Sequence, residues 1–231
     1  MQIEAIILAG GMGTRLRSVI ADIPKPMAPV ADRPFVAYIL DQLATTNIKD
    51  IKLSVGYKHE VVEDYFGPKY KHLDLSYVIE SQPLGTGGGI RLAADKCTSN
   101  TVLIFNGDTF FDINLSNFIE QHQQNKNGMT IALKHMSDVN RYGMVDLEGD
   151  KIRGFTEKSE TLKSGWINGG IYALDRDLFL SETRSSQFSM EVDFMEKMVG
   201  KIRIEGHKST GYFIDIGIPE DYTKANTYFG K

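Results

Sequence analysis

The apolar run Ile3-Glu4-Ala5-Ile6-Ile7-Leu8-Ala9 breaks directly into Gly10-Gly11-Met12-Gly13-Thr14-Arg15, and Pro24-Lys25-Pro26 follows. A run with a single polar interruption reads as a buried strand, so this chain needs a sheet that other elements cover. The glycines let backbone N–H groups come close to an anion, and nests of such groups attract negative charge. Arg15 and a Lys25 fixed between two prolines supply countercharge, so the segment suits a triphosphate. A tight strand-to-helix turn with no ligand is the plain alternative. A dinucleotide fingerprint fails because position 16 is Leu where a glycine is needed, and no Gly-Lys-Ser/Thr follows to make a Walker A loop.

The rest of the chain alternates in the same way. Strands are expected at 3–9, 51–55, 73–79 (at a sheet edge) and 101–105, and helices at 34–47, 58–66, 86–96 and 115–125, the last capped by Asn114 or Ser116. The order β-α-β-α predicts an α/β fold with a mixed, mostly parallel sheet flanked by helices, and ligands at the carboxyl ends of its strands. Beyond residue 128 the strands shorten, at 129–136, 143–147, 151–157 and 167–174. A helix near 190–198, strands at 201–206 and 211–216, and a helix from Pro219 complete the chain. We expect one domain over 1–231 in two halves, 1–128 and 129–231, the second forming the far wall of one cleft; the resemblance set out below implies that the first binds nucleotide and the second sugar.

A formal net charge of -4 gives no nucleic-acid footprint, and one cysteine, Cys97, excludes an internal disulfide. Neither a leader peptide nor an apolar stretch of about 20 residues is present, which predicts a soluble cytoplasmic chain.

Two carboxylates stand at strand ends. Asp108, in Asn106-Gly107-Asp108, suits Mg2+, which takes one or two carboxylates plus phosphate oxygens; a capping turn Asp is the alternative. Asp215, in Phe213-Ile214-Asp215-Ile216-Gly217, needs a metal or a basic partner if buried. The second glycine loop, Glu80 to Gly89, could carry a base, with Gln82 reading its edge because an amide both donates and accepts. Glu157-Lys158 reads as a sugar and phosphate contact or as a solvated ion pair. Trp166-Ile167-Asn168-Gly169-Gly170 reads as a sugar wall or as a β-bulge with a packed Trp, and Arg141-Tyr142-Gly143 is similar. The five histidines have no ligand spacing and read as structural.

Together, Leu8 to Leu16 and Pro24-Lys25-Pro26 resemble the signature of the sugar-1-phosphate nucleotidyltransferases. The resemblance continues in order through Pro83-Leu84-Gly85-Thr86, Asn106-Gly107-Asp108, Glu157-Lys158, Asn168-Gly169-Gly170 and Asp215 to Tyr222, and so spans the chain. It implies a Rossmann-like, glycosyltransferase-A-like fold, here without the left-handed β-helix tail of many relatives. Asn106 to Asp112 and Gly165 to Tyr172 resemble most the D-glycero-D-manno-heptose 1-phosphate guanylyltransferases. Other implied pairs are N-acetylmuramate 1-phosphate with UTP, mannose 1-phosphate with GTP, and glucose 1-phosphate with several triphosphates. A non-catalytic nucleotide-sugar sensor is the alternative of another class.

The resemblance implies Arg15 and Lys25 as catalytic cations. It implies Leu8, Gly10, Gly11, Gly13, Thr14, Gln82 and Gly87 at the nucleotide, and Gly143, Glu157, Lys158, Trp166 and Asn168 at the sugar phosphate. Asp108 and Asp215 would hold Mg2+. The implied partners are small molecules, with neither nucleic acid nor membrane, and self-association is compatible with the family.

Overall fold

The computed structural model describes residues 2–11, 16, 23–124, 126, 128–139, 142–156 and 164–230. Its strands are β1 (Glu4–Leu8), β2 (Pro29–Val30), β3 (Arg33–Pro34), β4 (Asp50–Val55), β5 (Lys69–Tyr70), β6 (Leu73–Ile79), β7 (Thr101–Asn106), β8 (Thr109–Phe111), β9 (Met129–Met136), β10 (Met144–Glu148), β11 (Lys151–Thr156), β12 (Gly165–Asp175), β13 (Ile204–Ser209) and β14 (Phe213–Asp215). Its helices are α1 (Phe35–Leu43), α2 (His59–Phe66), α3 (Gly85–Ala94), α4 (Leu115–Gln124), α5 (Arg176–Glu182), α6 (Glu196–Met198) and α7 (Pro219–Phe229). A 3-10 turn covers Lys25–Met27 and a π-helical turn covers Met190–Met195.

The apolar runs explain the layers. Side chains alternate across a strand, so β1 sends Ala5 and Ile7 into one core and Ile6 into the other. Likewise β7 sends Leu103 and Phe105 one way, Val102 and Ile104 the other. Helices α1, α2, α4 and α7 cover the first core, and α3, α5, α6 and the π-helical turn cover the second.

Ten strands form one sheet in the order β10-β11-β13-β9-β12-β7-β1-β4-β6-β5. The run β7-β1-β4-β6 is wholly parallel. Beyond it the sheet is mixed: β12 is antiparallel to both β7 and β9, while β13 is parallel to β9. Two small ribbons, β2-β3 and β8-β14, stand apart from it.

Several expected bounds move. Helix α1 stops at Leu43, with Pro34 as its cap and not inside its first turn. Strand β6 is not at the edge, because β5 pairs with it antiparallel. The strand expected at 201–206 runs from Ile204 to Ser209, in register with β9. Asn114, and not Ser116, caps α4, its Oδ1 accepting from the Asn117 N–H at 3.0 Å. Helix α5 was not expected, although Asp175 caps it by accepting from Leu178 N–H at 2.9 Å. Among the described residues no helix is long and apolar enough to cross a membrane.

Candidate nucleotide site at the parallel strand ends

The carboxyl ends of β7, β1, β4 and β6 open into a cavity of about 590 Å³. The sheet order sets the order of its lining: Asn106-Gly107-Asp108 after β7, then Leu8 and Gly10-Gly11 around the end of β1, Gly56-Tyr57 after β4, and Glu80 to Thr86 after β6. Neighbouring strands lie about 4.8 Å apart, so about 14 Å separates the first wall from the last. The ladder extends past the strands through Ala9 N–H to Ser54 O (2.7 Å), Gly107 N–H to Leu8 O (3.0 Å) and Glu80 N–H to Val55 O (2.7 Å). Gly107 is needed for that approach, since a Cβ there would lie 2.3 Å from the Leu8 carbonyl oxygen.

One end of the cavity is charged. Pro24 and Pro26 flank Lys25 in the 3-10 turn, which Met27 N–H closes onto Pro24 O at 2.8 Å. The Lys25 side chain is only 9% exposed, and its Nζ donates to Asp108 Oδ2 at 2.5 Å and lies 3.7 Å from Asp215 Oδ1. The β8-β14 ribbon makes this meeting: Asp215 pairs with Thr109, directly after Asp108, and Ile216 N–H donates to Asp108 O at 3.0 Å. Asp215 Oδ1 also accepts from Gly217 N–H at 2.7 Å. The ion-pair alternative for Asp215 is therefore realised in Lys25, and the two carboxylates converge on one cation position.

That donor set fits a hard divalent cation, which takes oxygen ligands from one or two carboxylates and completes its shell with phosphate oxygens and water. Among the described residues no group of three or more His, Cys, Asp and Glu could hold a metal ion.

The other end is built around Glu80. Its Oε1 accepts from Ser54 Oγ at 2.9 Å and its Oε2 from Leu84 N–H at 3.3 Å. Gln82 lies exposed on the same rim. Gly87 does not line the cavity: it is buried against Phe188, where a Cβ would sit 2.2 Å from the ring, and its N–H donates to Phe188 O at 3.0 Å. Sequence reading put Glu80 at the start of the loop that could carry a base but gave its side chain no role. Its signal was its place at the carboxyl end of a strand parallel to β1 and β4.

Across the junction with β12, Asn168 donates to Tyr172 Oη at 2.9 Å and accepts from Gly170 N–H at 2.9 Å. The register with β9 shifts between Asn168 and Tyr172, so the bulge reading of this segment is realised, with Gly170 in a left-handed conformation (φ 76°) against Asn106. Burial raises the Tyr172 phenol well above its usual range, which keeps it neutral. Trp166 is half-buried, with His135 edge-on at 5.2 Å. Gly143 is exposed beside Thr156 O. Gly143, Trp166 and Asn168 do not line the cavity described above, whereas Asn106 does. Gly13, Thr14, Arg15, Glu157 and Lys158 lie outside the described residues.

Burial pushes the Cys97 thiol up to about 12 and the His122 imidazole down to about 4. A thiol so protonated is a poor nucleophile.

The family model described as nucleotidyl transferase matches residues 4–231. A D-glycero-alpha-D-manno-heptose 1-phosphate guanylyltransferase of Aneurinibacillus thermoaerophilus is 46% identical over 222 residues, 96% of each chain. One of Campylobacter jejuni is 44% identical over 220 residues, 95% of this chain and 96% of its own. The crystal structure of HddC from Yersinia pseudotuberculosis, complexed with GMP-PN, is 34% identical and superposes with a TM-score of 0.87, covering 98% of this chain and 99% of that one. A match over nearly the whole length establishes that this chain belongs to the nucleotidyl transferase family.

Proposed function

We propose that this protein transfers a guanylyl group from GTP to D-glycero-α-D-manno-heptose 1-phosphate, forming GDP-heptose and releasing pyrophosphate. The observation that carries the transfer chemistry is the convergence of Lys25, Asp108 and Asp215 at one end of a glycine-lined cavity long enough for a nucleotide. The substrates come from the activity in the names of the relatives at 46% and 44% identity. We read the whole chain as one catalytic domain, because a single ten-stranded sheet runs through both halves. Its place of action is the cytoplasm, where such triphosphates and sugar phosphates are found.

In the reaction, an oxygen of the sugar phosphate attacks the α-phosphorus. The new O–P bond forms as the α–β bridging bond breaks, and its electrons leave with pyrophosphate. The attacking oxygen is already anionic at neutral pH, so no general base is needed. The barrier lies in bringing two anions together, and positioned cations lower it.

Lys25, held by its prolines and two carboxylates, reaches the α-phosphate. Arg15, with the backbone of Gly10 to Thr14, takes the triphosphate. Members of the family typically use a divalent metal. Here we assign Mg2+ to Asp108 and Asp215, and when bound it supplies charge neutralisation at the phosphates. Lys158 holds the sugar phosphate, while Glu157, Asn168, Gly143 and Trp166 shape the sugar subsite. Asn106 lines the nucleotide cavity beside Gly170 of the bulge and so adjoins both subsites.

The test is pyrophosphate release with Mg2+, crossing GTP, ATP, CTP, UTP and dTTP against heptose, mannose, glucose and N-acetylmuramate 1-phosphates. Turnover is expected with GTP and the heptose phosphate. A different productive pair overturns the substrates, and no turnover by folded protein overturns the enzyme reading.

A further inference from the structure

The bulge in β12 brings together two residues that a regular strand keeps apart. Residues four apart along a strand lie about 13 Å from each other. Between Asn168 and Tyr172, β12 advances four residues while its partner β9 advances two, from Leu133 to Ile131. The slack is taken up where Gly170 is left-handed, and the Asn168 amide then donates to Tyr172 Oη at 2.9 Å. Gly170 N–H turns back onto Asn168 Oδ1, also at 2.9 Å, which fixes the orientation of that amide.

On its other side Tyr172 faces β7. It pairs with Ile104, and Asn106 is the next residue on the same face of β7, a diagonal neighbour within reach of a long side chain. The Asn106 carboxamide acts on the phenol oxygen from there. Gly170 makes room for it, since a Cβ at that position would lie 3.1 Å from Asn106 Nδ2. The Asn106 Oδ1 is buried and has no hydrogen-bond partner among the described residues.

Tyr172 is 1% exposed, and burial keeps its phenol neutral, so it holds one proton to give. Asn168 supplies a donor to the phenol oxygen, and the Asn106 oxygen is an acceptor still open. A half-turn of the Asn106 amide presents that oxygen to the phenol's proton.

We propose that Tyr172 is a positioning residue that couples the sugar and nucleotide subsites, a reading that rests on the nucleotidyl transfer proposed above. Asn168, which we assign to the sugar, does not line the nucleotide cavity, whereas Asn106 does. The phenol is their shared partner. A ligand that orders one amide therefore orders the other, and the second substrate meets a site already set.

A packing role alone makes a different prediction. The ring fills the second core, and Phe fills it as well. Tyr172→Phe would then change stability and leave the relation between the two ligands as it was. The experiment measures, by calorimetry with Mg2+, the Kd of the heptose 1-phosphate with and without a GTP analogue whose α and β phosphorus atoms are joined by a methylene. The Kd of the analogue is measured with and without the sugar phosphate, because coupling between two sites is reciprocal. The proteins are wild type, Tyr172→Phe, Asn168→Ala and the double variant, with thermal unfolding followed for each.

Wild type is expected to bind each ligand roughly 5–150-fold more tightly when the other is present. Y172F should bring that factor to within about twofold of one. N168A should weaken the analogue alone by roughly 2–30-fold, although Asn168 is outside the nucleotide cavity, and should add nothing to that in the Y172F background.

A coupling factor unchanged in Y172F overturns the proposal, and so does a wild type that binds both ligands without coupling. An analogue affinity unchanged in N168A overturns it too, a result that stands even where Y172F does not fold. Folded wild type that binds neither ligand overturns the transfer reading itself. Coupling in wild type that survives in both variants overturns the Tyr172 inference alone.

Discussion

Strands β7, β1, β4 and β6 and strands β9 to β13 belong to one sheet but assemble sites in different ways. In the parallel set every carboxyl end lies on the same edge, so Asp108, Gly10, Gly56 and Glu80 become neighbours simply by following their strands. In the mixed set adjacent strands present opposite ends everywhere except between β13 and β9. Residues there meet through register, as Asn168 and Tyr172 do across a bulge. Burial follows the same division. Residues 101–105 of β7 are buried in unbroken sequence, whereas β10 and β11 are mostly open along their length. A parallel strand covered on both faces must be apolar throughout, and it confines polar function to its end.

The sharpest way to break this contrast is to remove the charge at the parallel edge. Lys25→Ala should cut kcat by about 10²–10³-fold, as loss of one preorganised donor does elsewhere. It also leaves Asp108 and Asp215 without their shared cation. The KM for GTP should change less than kcat, because the cavity walls from β1 to β6 are untouched. Steady-state kinetics on folded variant check this, and a near wild-type kcat would remove Lys25 from the chemistry.

Legibility in the sequence follows the same line. Strands β1 and β7 showed as apolar runs, and α1 as an apolar stripe through Phe35, Ile39, Leu40 and Leu43, all buried in the first core. The glycine loop and Asn106-Gly107-Asp108 stood where the ends of parallel strands must stand. The meeting of Asp108 and Asp215 had no local signal, because it depends on pairing of two three-residue strands distant in the chain. Glu80 was hidden differently. Its neighbour Gln82 is the more versatile hydrogen-bonding group on paper, but Ser54, which anchors Glu80, reaches it only across the β4–β6 pairing. Gly87 stood at the nucleotide only through the resemblance, and in the structure its missing side chain makes room for Phe188.

Glycines sharpen the comparison further. Gly107 brings the turn after β7 onto β1, and an added Cβ meets the Leu8 backbone at 2.3 Å. In the mixed half Gly143 has only Thr156 O nearby, at 3.4 Å. Gly107→Ala should destabilise by about 2–3 kcal/mol, because backbone and not a flexible side chain must give way. Gly143→Ala should stay within about 0.5 kcal/mol. Urea unfolding of both variants decides the matter, and equal stabilities would mean that the two halves tolerate crowding alike.

The smallest expected effect lies at the junction of the halves. His122 on α4 sits with Nδ1 3.0 Å from Thr130 Oγ1 on β9. Burial pushes its imidazole down to about 4, against a weaker opposing pull from Asp175. In the unfolded chain the same group takes its proton near 6.5. Between these values the unfolded state binds more protons, so stability present above pH 6.5 is lost as pH falls toward 4. The loss from this residue should reach about 1 kcal/mol by pH 5.5. His207, also lowered by burial, adds in the same direction. Glu4, whose carboxyl burial would raise but the N–H groups of Ser99 and Thr98 together with Lys52 and the Ser99 hydroxyl lower on balance, acts only below its ordinary range. Denaturant midpoints at pH 7.5 and 5.5 should therefore separate by less in His122→Gln than in wild type. An unchanged separation would mean that the junction between α4 and β9 opens enough for His122 to be protonated in the folded state.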